Sequence, residues 1–120
     1  MHRDPRLYLD DILEAITQNR EYTSTLDYDS FSRDRKTQDA VARNLEIIGE
    51  AAGRLPESIK MNATGIEWRK IVGLRNIIVH EDFGISLPVV WDVVKNKLGL
   101  LETSCRKLLK NGTFDVEEYQ

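Results

Sequence analysis

The sequence predicts an all-α, single-domain protein, most simply an antiparallel bundle of four to five helices. Two observations carry this expectation. Apolar residues recur at three- and four-residue spacing in four separate stretches, each bounded by capping or breaking residues. No stretch alternates apolar and polar residues as a half-buried strand does, and 120 residues at 41% hydrophobic and 31% charged suit one domain with a real core.

The first helix opens on Asp4 as N-cap with Pro5 in its first position. Leu9, Ile12, Leu13 and Ile16 carry it to about Tyr22. A turn-like stretch from Ser24 to Ser30 follows. The second helix starts between Phe31 and Asp39. It holds Val41, Leu45, Ile48 and Ala52 on one stripe and ends near Leu55, because Pro56 cannot continue it. Pro56 to Asn62 reads as a loop with one short helical turn. Thr64 and Glu67 have the spacing of a capping box, which predicts a third helix from there to about Glu81, with Gly84 at its exit. Ser86 and Pro88 open a fourth helix, whose face carries Val90, Val94, Leu98, Leu101, Cys105 and Leu108. The expected domain spans 1–110, followed by a polar, flexible tail over 111–120.

Composition narrows the function classes. No run of about 18 apolar residues is present, so no membrane span is expected, and Met1 to Pro5 does not begin a signal peptide. The single cysteine, Cys105, forms no internal disulfide framework, fits a reducing cytoplasm and reads as a buried small hydrophobe. A formal net charge of -3 argues against a general nucleic-acid coat protein, yet leaves room for a nuclease with a local basic groove.

The third helix carries the chemistry. Seven of the ten residues from Ile71 to His80 are apolar or glycine, so the helix is expected to be buried nearly all round. Arg75, Asn76 and His80 sit within it. A buried guanidinium requires a carboxylate, a water-lined cleft or a ligand phosphate. Gly73 weakens a helix interior by roughly 1 kcal/mol relative to alanine, which suggests that another backbone packs closely there. Asn76 and His80 share a face, whereas Arg75 and His80 diverge by about 140°. Two copies of this helix meeting at a dimer axis would account for both the apolarity and the polar trio. The alternative is structural: His80 as a capping charge at a helix end, and Arg75 paired with Glu46 or Glu50. Residue types alone leave the two readings evenly supported.

The segment Arg75-Asn76-Ile77-Ile78-Val79-His80-Glu81-Asp82-Phe83-Gly84-Ile85 resembles the R-x4-6-H signature of HEPN ribonucleases, in the form found in HepT toxins. The resemblance extends to Tyr8–Ile16 and to Asp39–Ala52, in order along about nine tenths of the chain. It implies a helical, dimeric toxin that cleaves RNA without metal or cofactor, beside a minimal nucleotidyltransferase antitoxin of the MntA type. Arg75 and His80 are then the catalytic pair. Histidine transfers protons near neutral pH, and arginine stays charged and grips phosphate through two donors. Asn76 is a hydrogen-bonding companion. Arg43, in a matching segment, ranks above Arg33, Arg35, Lys36, Arg69 and Lys70 as an RNA contact. Asn44 and Glu46 either face the same groove or hold Arg75.

One position departs from the family pattern R-x4-H-x-Y, whose tyrosine receives AMP from the antitoxin. Asp82 stands there and has no phenol to modify. An aspartate so close also favours protonated His80 and repels RNA phosphate. Three readings follow: inhibition by tight binding alone, a weakened nuclease, or a residue altered from the natural one. A competing reading is therefore a HEPN module that binds nucleotide or its nucleotidyltransferase partner without cleaving RNA. A third is a purely structural helical adaptor.

Overall fold

The computed structural model describes residues 3–79, 86–112 and 114. All regular structure among them is helical, as expected. Helix α1 spans Pro5–Thr23, and its cap is the expected one: the Asp4 carboxylate accepts from the Arg6 N–H. Its Leu9, Ile12 and Ile16 are completely buried. Helix α3, Arg35–Arg54, returns along α1 and buries Val41, Leu45, Ile48 and Ala52, the predicted stripe. It begins at Asp34, whose side chain accepts from the Thr37 N–H. Inside the α1–α3 contact, Asn44 Nδ2 donates to Asn19 Oδ1 at 3.0 Å, and Asn19 Nδ2 donates to the Val41 carbonyl at 3.3 Å. Two buried amides are thus satisfied by each other and by backbone, which fixes how the helices face.

Two short helices frame α3. Helix α2, Tyr28–Ser32, falls where the sequence suggested only a turn and then an uncertain start. Its reason is local: Asp27 and Ser30 form a reciprocal capping box, and Phe31 drops fully into the core. The Phe31 ring lies 5.0 Å from Trp91. Helix α4, Glu57–Lys60, is the expected short turn after Pro56.

Helix α5, Trp68–Val79, starts later than the Thr64–Glu67 pattern predicted. The chain first turns so that Ile66 is buried and the Trp68 indole N–H is shared between the carbonyls of Lys60 and Ala63, each at 3.2 Å. The carbonyl of Glu67 then accepts the first bonds, from Lys70 and Ile71. Burial all round is not observed either. Leu74 is buried, Ile71 and Val72 are half-buried, and Arg69, Lys70, Arg75 and Asn76 are exposed. The cause is architectural, since α3 is the only extensive neighbour of α5 among the described elements.

Helix α6, Leu87–Asp92, passes through a π-helical turn, Val93–Lys97, into α7, Leu98–Asn111. The predicted face from Val90 to Leu108 is buried throughout. In a regular helix the step from Val90 through Val94 to Leu98 would rotate about 80° off the stripe. The wider turn absorbs the extra residue and keeps all three on the core side. Lys95 ties this turn to the end of α1, donating to the Thr23 carbonyl at 3.0 Å with its ammonium 4.8 Å from the Trp91 ring centroid. Arg20 pairs with Glu102, and the Arg6 guanidinium lies over Phe114, so α7 runs antiparallel to α1. Of the expected tail, Asn111, Gly112 and Phe114 are described, and Phe114 packs against the core. Among the described residues, no helix is long and apolar enough to cross a membrane.

Cys105 is fully buried on α7, as its stripe position predicted, and burial pushes its thiol from 9.0 up to about 12. The unfolded chain therefore loses this proton at lower pH than the folded one. Stability must fall as pH rises through the window from about 9 to about 12, by at most about 1.4 kcal/mol per pH unit. Urea unfolding at pH 7.5 and pH 10 checks this: the loss between the two is expected to be smaller in Cys105→Ala than in the parent chain.

Candidate functional site

Arg75 owes its place to one helix crossing. At Gly49 on α3 the α5 backbone comes so near that a Cβ built there would lie 2.7 Å from the Arg75 nitrogen. The same atom would sit 3.1 Å from the Val72 carbonyl and 3.1 Å from Arg75 Cβ. One turn on, Gly53 faces the Val72 side chain at 3.6 Å. The two contacts run in opposite order along the chain, so α3 and α5 are antiparallel. The close approach expected at Gly73 is absent, since, its chain neighbours and its own helix backbone aside, no described atom lies within 4 Å of a Cβ placed there. The contact resides in the partner helix instead.

From this seat Arg75 projects to the exposed side of α5, with exposed Asn76 beside it. The structural alternative for Arg75 was an ion pair with Glu46 or Glu50. Neither forms. Glu46 pairs with Arg43 at 3.5 Å, and no carboxylate among the described residues lies within 4.0 Å of the Arg75 guanidinium. A guanidinium with no such partner among the described residues can meet an anion through its paired donors.

Asn44 does not face a groove with Arg75; it is the buried amide bonded to Asn19 in the α1–α3 core. Arg43 is exposed, on the outer side of α3, and carries its ion pair to Glu46. Three further basic candidates are also paired along their own helices: Arg33 with Asp29 at 3.0 Å, Arg35 with Asp39 at 3.3 Å and Lys70 with Glu67 at 3.1 Å. Lys36 and Arg69 are exposed without an ion pair among the described residues. His80 and Asp82 lie outside the described residues. The structure thus brings Arg75 and Asn76 together on one helix and separates Asn44 from them.

Two residues matter more than their sequence context suggested. Asn19 is the partner that explains Asn44. Gly49 is what allows Arg75 its position, and its signal was a small-residue face, Gly49, Ala52 and Gly53, on the otherwise bulky α3.

The family model described as "Ribonuclease HepT-like" matches residues 12–108, a stretch that contains both Arg75 and His80. Among curated relatives, "Probable ribonuclease HepT" of Thermococcus cleftensis is 39% identical over 110 residues, covering 92% of this chain and 100% of that protein. A Methanocaldococcus jannaschii protein named "Putative RNase" is 40% identical over 96 residues, 80% of this chain and 79% of that one. A second protein of that organism, named "Gamma-glutamylcyclotransferase and putative RNase", is 34% identical over 99% of this chain, which spans 56% of it. No solved structure gives a significant match. With its helical architecture and a match over most of its length, the chain belongs to the HepT-like ribonuclease family.

Proposed function

We propose that the chain is a metal-independent endoribonuclease, the toxin of a type II toxin–antitoxin pair, with Arg75 and His80 as its catalytic pair. The observation that carries this reading is Arg75 itself. It is exposed on α5, lacks a carboxylate partner among the described residues, and precedes His80 by five positions inside the family match.

The chemistry follows from the two side chains. His80 removes the proton of a ribose 2′-OH, and the freed oxygen bonds the adjacent phosphorus. Arg75 stabilises the charge that accumulates on the phosphorane oxygens. The P–O5′ bond then breaks, and the departing oxygen takes a proton from the imidazolium just formed. A 2′,3′-cyclic phosphate and a 5′-hydroxyl remain. Asn76 supplies a hydrogen bond beside Arg75, and Arg43 an outer contact to the RNA.

The active form in this reading is a cytoplasmic homodimer paired through α5, silenced by a minimal nucleotidyltransferase antitoxin. The half-buried Ile71 and the open space at Gly73 support such a pairing, because α5 has one extensive neighbour among the described elements. Residues 1–110 are the catalytic domain and 111–120 a polar tail. Asp82 favours a second reading, a HEPN module of weakened activity that binds nucleotide or the nucleotidyltransferase. Incubating the purified protein with total RNA in excess EDTA separates them. Fragments ending in cyclic phosphate, from a species of twice the chain mass, are expected. Intact RNA across several RNA classes, together with retained nucleotide binding, would establish the second reading.

A further inference from the structure

We infer that Gly49 is a positioning residue for Arg75: the missing side chain on α3 sets how deeply α5 seats and hence where the guanidinium meets the RNA phosphate. This rests on the reading of Arg75 as catalytic.

The argument is steric. A Cβ at Gly49 would meet the Arg75 nitrogen at 2.7 Å, inside the 3.0 Å limit that real Cβ atoms respect, and the Val72 carbonyl at 3.1 Å. Both neighbours are backbone atoms, so no rotamer change relieves the contact. Helix α5 itself must move. Among the described elements nothing else holds it extensively, so the displacement passes to the residue nearest the clash, which is Arg75. Gly53, on the same helix one turn later, differs: its Cβ would make ordinary contact with the Val72 side chain at 3.6 Å. Alanine favours a helix interior over glycine at either site. The two substitutions therefore match in propensity and differ in whether they push on Arg75.

The test is a cycle of Gly49→Ala and Arg75→Ala, read as single-turnover RNA cleavage, with Gly53→Ala as control and helicity and melting followed by circular dichroism. A misplacement of about 1 Å at a catalytic group costs on the order of 100-fold. Gly49→Ala is expected to slow cleavage roughly tenfold to 100-fold in the parent chain and to have little further effect on Arg75→Ala. Gly53→Ala should cleave as the parent does. Parent-like cleavage by Gly49→Ala overturns the inference. So does an equal loss in both backgrounds, which would mark a purely structural role. If Arg75→Ala cleaves as the parent does, the reading of Arg75 fails, and the inference with it. Should Gly49→Ala not fold, Gly53→Leu replaces it in the same cycle, as a wedge acting through the Val72 side chain.

Discussion

Replacing Arg75 with alanine is expected to lower the RNA cleavage rate by about 10²–10³-fold, the usual effect of removing one donor to transition-state charge. The melting temperature should hardly move. Arg75 is exposed and joins no ion pair among the described residues, and substitutions at such positions change stability by about 0.5 kcal/mol or less. A structural arginine would behave the opposite way, losing stability first. Arg75→Lys keeps the charge but loses the planar fork, so it should recover only part of the activity. The loss should fall mainly on kcat, because the charge that Arg75 meets is largest in the phosphorane. Single-turnover cleavage paired with thermal melts of the same preparations checks both statements.

The second large effect concerns the fold. Phe31→Ala should destabilise the protein by about 3–5 kcal/mol, the range for emptying a buried aromatic site. Phe31 is completely buried, and its ring at 5.0 Å from Trp91 joins α2 to α6. Helix α2 has five residues and no other buried side chain, so little else holds it. The melting temperature should drop by roughly 10–20 °C. Cleavage measured well below that temperature should survive, since α2 packs on α3 and α6 rather than on α5. Calorimetry with cleavage assays at a low temperature tests the pair of outcomes.

These two residues also show what was legible in the sequence. Long helices announce themselves because each buried turn repeats the signal, and the stripes of α1, α3 and α6–α7 are the ones the core uses. Helix α2 is too short for any period to emerge; only Asp27 and Ser30 marked it. The start of α5 was misplaced because Thr64 and Glu67 have capping spacing, while the indole of Trp68 and the burial of Ile66 dictate a turn instead. Periodicity also cannot say how many neighbours a helix has. Seven apolar or glycine positions in ten implied burial on every side of α5, but among the described elements α3 alone is an extensive neighbour.

At the site, residue type and family resemblance together singled out Arg75, and the absence of a partnering carboxylate among the described residues agrees with that choice. Asn44 misled because an asparagine in a family-matching segment reads as chemistry, and its true partner lies 25 residues away on another helix. Gly49 was missed because a glycine in a helix advertises a close approach without saying from which side.

The central claim is that this chain cuts RNA with Arg75 and His80 and without metal. Its most direct test sets the parent protein beside His80→Ala, each incubated with total RNA in excess EDTA. The account predicts cleavage by the parent and none by His80→Ala. Equal cleavage by both proteins would contradict it, because the proton transfer assigned to His80 would then occur elsewhere.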